Sequence, residues 1–374
     1  MGLLTETKRT LPSSWYYEKA HFDKEVAKIW RKDWVCVGHV SAVPHHGDYF
    51  TCNIGGQTLV ITKSDSVKAY YNTCRHRGSI LCSKSAGHFP NGRIICPYHR
   101  WTYDLDGDLK NTPGKLPCED FNLAEFSLYP VNLELWKGFI FVNLEDEPDT
   151  TLSEHLGKEK DNIANWPLET LISARRKAYS LSCNWKIFWE NYLECYHCPG
   201  IHPELCRLMP AYKQGIFDES ILPGWTPAWP GDEGRGRMAA GAVTWTSDGQ
   251  SRLMELQGLS EEDKRLGVVF MPITGSMYIA AHRDYVRCVR IVPIDPTQTR
   301  LEVDWLVAPE QALGDFQMME AAFALSETVL DQDQTVCELN QLGIQNDAHQ
   351  QGVLVPQEYR LWDFHEWLRQ KLAV

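Results

Sequence analysis

No run of apolar residues in this chain approaches the ~20 needed to cross a bilayer. The opening MGLLTETKRTLPSSW also lacks the apolar stretch of a secretory signal. Gly2 precedes Leu-Leu-Thr-Glu, a poor match to a myristoylation signal. A cytoplasmic protein is therefore expected. Basic residues are in short supply too: 37 Lys and Arg stand against 49 Asp and Glu, a net charge of −12. That balance argues against a nucleic-acid surface, which needs clustered cations facing phosphate. The chain has no internal repeat, no low-complexity tract and no Gly-x-Gly-x-x-Gly after a strand, so a bound nicotinamide nucleotide is not expected. Cysteine, by contrast, is plentiful. Twelve in a chain without a signal suggest a reducing compartment where thiols are available to metals, although several will be ordinary core residues.

At 374 residues the chain is long enough for two domains, each with a core. Residues 22–31, FDKEVAKIWR, have helical periodicity, with Phe22, Val26 and Ile29 or Trp30 on one face. From about 34 to 148 come short β-rich runs: WVCVGHV, DYFTCNI, TLVITKS, VKAYYNT, RIICPYH and GFIFVNL. Turns rich in Gly, Pro and Asn separate them, which reads as a small all-β domain. The acidic, turn-rich EDEPDTTLSEH (145–155) reads as a linker. Beyond it, the strands YIAAH, YVRCVRIVPI and TRLEVDWLVAP mix with helices, one of them long, over roughly 314–342. This half reads as α+β.

Within the β-rich half, Cys74-x-His76 is followed after nineteen residues by Cys96-x-x-His99. Each pair follows a strand and sits in a turn, so two loops can approach one another at one end of a sheet. Zinc would use all four residues around one ion. A Rieske [2Fe–2S] centre would give Cys74 and Cys96 to one iron and His76 and His99 to the other. The tight C-x-H spacing and the repetition of a Cys–His pair in each loop favour iron–sulfur. Gly78, Pro97 and the tail Trp101-Thr-Tyr-Asp-Leu-Asp-Gly-Asp108 add loop chemistry that lets backbone N–H groups approach sulfides. Cys82 reads as a buried bystander and His88 as a surface loop residue.

The whole stretch NTCRHRGSILCSKSAGHFPNGRIICPYHRWTYDLDGD resembles the Rieske domain of the Rieske non-haem iron oxygenases, the family of aromatic-ring-hydroxylating oxygenase α subunits. No third Cys accompanies Tyr98 in the second loop, unlike the respiratory Rieske proteins with their extra disulfide. The soluble oxygenase variety therefore fits better. The resemblance implies an all-β Rieske domain over 41–150 and a helix-and-antiparallel-sheet catalytic domain over 151–374, on which an N-terminal helical segment (1–40) packs.

ENYLECYHCPGIHPEL (190–205) carries His197 and His202, five positions apart. On a continuous helix they would be roughly 140° out of line. Pro199 and Gly200 argue that the helix stops, so His197 is read as ending a helix and His202 as folding back from a loop toward the same ion. A mononuclear Fe(II) oxygenase needs two His and one carboxylate on one side of the metal. Asp331 and Asp333 compete for the third position. In a helix Asp333 has Val329, Leu330, Val336 and Cys337 as neighbours, an apolar face where a carboxylate needs a partner. Asp331 faces Glu327, Thr335 and Glu338. Asp333 is the choice.

Glu194, three before His197 on the same helical face, corresponds to the family's bridging acid. That acid joins the mononuclear site to the Rieske histidine of the neighbouring subunit. Asn191, one turn earlier, is placed facing the open iron site. The resemblance further implies electrons from a separate NAD(P)H reductase with flavin and iron–sulfur groups, and a head-to-tail homotrimer as the smallest working assembly. The wording ECYHC…HPE and DQDQTVCELNQLGI is similar to the branch acting on quaternary ammonium compounds, which implies oxidative N-demethylation of a betaine-like substrate. Trp225, Trp229 and Trp245 are candidates for an aromatic cage. The alternatives are hydroxylation of an aromatic ring or acid, and a Rieske ferredoxin that only transfers electrons.

Overall fold

The run DYFTCNI-GG-QTLVITK turns back on itself at Gly55 and Gly56, whose φ values of 53° and 80° are both positive. A two-residue hairpin connection needs that combination, and glycine adopts it without a Cβ clash. This hairpin, Asp48–Ile54 with Gln57–Lys63, is the centre of a four-stranded antiparallel sheet flanked by Val67–Tyr71 and Ala86–His88. A three-stranded sheet of Asn132–Trp136, Phe139–Asn143 and Val35–His39, and a smaller one of Arg93–Ile95, Thr102–Asp104 and Leu109–Asn111, complete the β-rich unit. The computed structural model describes residues 3–116, 118–230, 232–314 and 316–373. It divides into a unit spanning Ile29–His155 and one formed by the residues up to Lys28 together with those from Leu156 onward.

The second unit is built on a five-stranded antiparallel sheet in the order Ile172–Leu181, Gln298–Val307, Val286–Asp295, Met277–Ala281, Val269–Ile273. Its interior strands are buried almost throughout, which explains apolar runs without alternation. The helix Phe316–Ile344 buries Phe323, Leu325, Val329, Leu330, Asp333 and Cys337 along one side. It begins and ends two residues later than the sequence reading of 314–342. A short pairing of Lys8–Arg9 with Val353–Leu354 ties the start of the chain to this unit. Among the described residues no helix is long and apolar enough to cross a membrane.

The helix read from FDKEVAKIWR differs in form. Lys19–Glu25 is α-helical and Val26–Trp30 is a π-turn. The wider turn shifts the face, so Ile29 and Trp30 are both buried, Val26 is half-buried, and Glu25 is buried where a solvent-facing acid would be expected.

Strand Ile172–Leu181 lies at the sheet edge and is held there through Asp304, which is 2% exposed. Its Oδ1 accepts from Ser173 Oγ at 2.7 Å and Arg176 Nε at 2.9 Å, and Arg290 Nη2 lies 3.3 Å from Oδ2. Burial alone would raise the Asp304 pKa; the guanidiniums of Arg290 and Arg176 outweigh it and hold the carboxyl below its usual range. A depressed folded-state pKa gives stability that is present above the unfolded value of ~4 and is lost as pH falls through the folded one. Asp304→Asn should therefore lower stability at neutral pH and flatten the acid limb of a circular-dichroism unfolding curve. An acid limb unchanged in the variant would assign it to other carboxylates.

Candidate active site

Cys74 and Cys96 each follow a strand and each open a loop closed in the same way. Gly78 N donates to Cys74 O at 3.0 Å, and Arg100 N donates to Cys96 O at 3.2 Å. Both closing residues, four after their cysteine, have positive φ: 74° at Gly78 and 64° at Arg100. Cys74 N then bonds Ser79 O at 2.8 Å, and Cys96 N bonds Trp101 O at 2.9 Å. The sequence signalled both loops, the first also through its glycine, and gave no sign of the left-handed residue Arg100 that closes the second.

The two cysteines are 3% and 1% exposed, whereas His76 is exposed and His99 half-buried. The histidine Nδ1 atoms lie 3.1 Å apart, and His76 stacks on Trp101 with ring centroids 4.7 Å apart. The Cys74 thiol is 3.3 Å from Tyr103 OH. Burial, helped by the neighbouring Cys96, pushes the Cys74 thiol up, so Cys74 resists ionising without a cation beside it. Two soft donors inside and two imidazoles at the rim fit the unequal ligand sets of a Rieske cluster. Cys82 is buried, its thiol pushed up to about 12 by desolvation. His88 is exposed and pairs with Asp48 at 2.9 Å, in a short strand rather than a loop.

The second constellation corrects the sequence reading in two places. Helix Trp185–Leu193 stops before both Glu194 and His197. Glu194 is extended (φ −136°, ψ 165°), so it shares no helical face with His197. His197 instead heads a one-turn helix, Cys198–Ile201, and His202 joins that turn to Pro203–Leu208. Pro199 sits in the first helical turn, where its missing N–H costs nothing, so it helps to start a helix here rather than to end one. The arrangement achieves convergence: His197 Nε2 and His202 Nε2 are 3.2 Å apart.

Asp333, from helix Phe316–Ile344, brings Oδ1 within 2.9 Å of His202 Nε2 and 3.5 Å of His197 Nε2. Asp331 is exposed and lies 4.0 Å from Lys177. The Nδ1 atoms are held from behind: His197 by Glu194 Oε1 at 2.6 Å, His202 by Gln332 Oε1 at 2.8 Å. Glu194 also accepts from the backbone N of Tyr196 and His197. Asn191 Nδ2 approaches His197 Nε2 at 3.3 Å. Cys198 Sγ, 3.9 Å from the same nitrogen, is a further possible donor that the sequence reading did not consider.

Two imidazole nitrogens and a carboxylate oxygen crowded this closely need positive charge among them. Burial opposes charge on His197, yet Asp333, Cys198 and Glu194 push its pKa up to about 12. The same surroundings hold Asp333 ionised: burial raises its pKa, and the bonds from His197 and His202 bring it below the usual range. A set that draws a proton so strongly will draw a divalent ion, and two His with one carboxylate suit Fe(II).

The three residues open on a small cavity whose wall is rich in aromatic side chains: Phe188, Tyr192, Tyr212, Phe217, Trp245, Phe270 and Tyr278. Tyr192 and Tyr278 stack at 3.9 Å. Trp225 and Trp229 are absent from this wall, and Arg237 lies over the Trp229 ring instead. A larger cavity of about 500 Å³ shares Phe217 and Phe270 but none of the three candidate ligands. Its size does not make it the reaction site, because chemistry needs the donor set. Arg287 and Gln332 were not anticipated. The only signal for Arg287 was a charge inside the apolar run YVRCVRIVPI.

Comparison with known proteins agrees with this division. Residues 33–126 match the Rieske [2Fe-2S] domain, and residues 168–374 match the catalytic domain of the ring hydroxylating alpha subunit. The chain is 31% identical to the glycine betaine monooxygenase oxygenase subunit of Chromohalobacter salexigens, over 96% of this chain and 84% of that one. It is 38% identical to the carnitine monooxygenase oxygenase subunit of Acinetobacter pittii, over 52% of this chain and 53% of that one. A solved quaternary ammonium Rieske monooxygenase superimposes with a TM-score of 0.76 at 22% identity, covering 98% and 96% of the two chains.

Proposed function

The chain belongs to the Rieske oxygenases with a ring-hydroxylating α-subunit catalytic domain, and from that premise we propose that it hydroxylates an N-methyl carbon of a quaternary ammonium compound. It is an oxidoreductase whose cofactors are a Rieske [2Fe–2S] cluster and a mononuclear iron. In this reading Cys74 and Cys96 hold one cluster iron, His76 and His99 the other, and His197, His202 and Asp333 hold the mononuclear iron. When bound, the cluster passes electrons singly and the mononuclear iron activates O₂.

The observation that carries the substrate class is the aromatic wall beside the donor set. Seven aromatic side chains line the place where a substrate must lie, and a methylated ammonium is attracted to exposed ring faces, each worth roughly 0.5–2 kcal/mol. The likeness to betaine and carnitine oxygenase subunits supports the same class.

The residues then have separable tasks. Glu194 and Gln332 fix the imidazole tautomers from behind, so that both Nε2 atoms present lone pairs to the ion. Asn191 caps the open side near His197. The rings exclude water and hold the N-methyl carbon toward the metal. The balance is one N-methyl group, one O₂, two electrons and two protons, giving an N-hydroxymethyl group and water. That product collapses by N–C cleavage to formaldehyde, a tertiary amine and a proton. The electrons come from a separate flavin and iron–sulfur reductase, and transfer between subunits of a head-to-tail trimer places Glu194 on the path.

The test is a panel of betaines and aromatic acids with a surrogate reductase, reading formaldehyde and O₂ uptake. Formaldehyde in step with O₂ for a trimethylammonium compound is the expected result. Turnover of aromatic acids alone would overturn the assignment.

A further inference from the structure

Two arginines lie on the buried strand Val286–Asp295 and differ in what they meet. Arg287 and Arg290 are three apart, so they project from opposite faces of the sheet. Both are buried, at 3% and 5% exposure. Arg290 is met by Glu302 at 2.9 Å and Asp304 at 3.3 Å. Arg287 has no carboxylate within 4 Å among the described residues. Its Nη1 reaches only the backbone oxygen of Ser326, at 3.2 Å, and its Nε is buried without a partner.

A buried guanidinium without an anion is costly, and this one is placed on the wall of the cavity that holds His197, His202 and Asp333. Neither acid of that site is free to neutralise it. Asp333 is committed to the two histidines, and Glu194 to His197 and two backbone N–H groups. A second donor on the same wall is also unsatisfied: Trp245 is 2% exposed and its Nε1 has no partner. The two side chains are neighbours, the Arg287 guanidinium lying 5.7 Å from the centre of the Trp245 ring and 5.9 Å from that of Tyr278. The two rings lie within cation–π range and the backbone oxygen of Ser326 holds Nη1, and a guanidinium is the side chain suited to bidentate capture of a carboxylate.

We infer that Arg287, with Trp245 beside it, is the subsite for a substrate carboxylate, so the substrate is a zwitterion in which an acid is tethered to the methylated nitrogen. This rests on the quaternary-ammonium reading above and narrows it. Amino alcohols and simple tetraalkylammonium ions leave the guanidinium unpaired and are rejected, as sites built around a polar contact reject analogues that lack it.

The test is anaerobic calorimetry on the iron-loaded protein with N-trimethylated amino acids of increasing spacer length, each against its alcohol, and with benzoate. The native protein should bind the best-fitting acid at least ~100-fold more tightly than its alcohol. Arg287→Gln should collapse that ratio to within a few-fold, Arg287→Lys should restore part of it, and iron content should stay the same. Trp245→Phe, which removes only the indole N–H, should lower the ratio several-fold and serves if Arg287→Gln fails to fold. Equal binding of acid and alcohol by the native protein, or a ratio that survives Arg287→Gln, would sink the subsite. Benzoate binding that is lost in Arg287→Gln, with no ammonium compound bound at all, would keep the anion subsite and overturn the ammonium reading instead.

Discussion

Replacing His202 with alanine is expected to lower the iron content from about three atoms per chain to about two, with the visible spectrum of the cluster intact. Product formation should fall at least ~100-fold, since even partners behind the ligands commonly change metal affinity or activity by ~10–100-fold. The reason lies in how closely this residue is engaged. His202 is 1% exposed, faces both His197 and Asp333 through Nε2, and is fixed through Nδ1 by Gln332. Alanine removes one of three donors and leaves Asp333 buried with a single imidazole. Cys74→Ser should do the reverse, bleaching the cluster signature and stopping electron delivery while the mononuclear iron stays. The two outcomes separate because each donor set belongs to a different unit, Ile29–His155 for Cys74 and the residues from Leu156 onward for His202. Iron assay with electron paramagnetic resonance reads both. An unchanged iron count in His202→Ala would remove this residue from the metal site.

The local part of this architecture was legible because it depends on neighbours in sequence. The loop carrying Cys74 and His76 announces itself through spacing and Gly78, and the Gly55–Gly56 hairpin through its turn residues. Asp333 was separable from Asp331 because helical periodicity puts it among Val329, Leu330 and Cys337, and the chain does bury that face. What failed was the join between elements. Pro199 read as a helix breaker, but its position at the start of a turn is one that proline tolerates, and the histidines converge by a short second helix. Strand Ile172–Leu181 passed unnoticed because its centre is Arg175-Arg176-Lys177, the charged composition of an edge strand rather than an apolar run. Tryptophan content suggested a cage without saying which ring; of the three singled out, only Trp245 lines the cavity. Arg287 was invisible for a different reason. Whether a charge in a strand is paired, as Arg290 is, depends on residues far along the chain.

The largest stability effect is expected at a pair remote from the metal. Lys186 Nζ donates to Glu25 Oε1 at 2.6 Å, and both side chains are completely buried. Trp185 Nε1 donates to Glu25 Oε2 at 2.8 Å, and His21 Nε2 lies 3.4 Å from Oε1, so the carboxylate is well satisfied. Burial works to raise the Glu25 pKa, but Lys186 and these bonds bring it below the usual range, while desolvation draws Lys186 below its own, so each charge depends on the other. Lys186→Met leaves the carboxylate buried with its main counter-charge gone, and breaking such a pair on one side costs about 3–5 kcal/mol. Glu25→Gln should cost a comparable amount. Replacing both with apolar side chains should cost much less than the sum of the two, since most of each single loss is the stranded partner rather than the lost attraction. Chemical denaturation of the four proteins forms the cycle, and additive losses would refute the account. The consequence reaches the active site through helix Trp185–Leu193. Lys186 anchors its first turn, and the same helix carries Asn191 and ends where Glu194 begins. In Lys186→Met that helix loses its anchor, so iron should be lost at lower denaturant than the cluster is. A single coincident loss of both centres would place the anchor elsewhere.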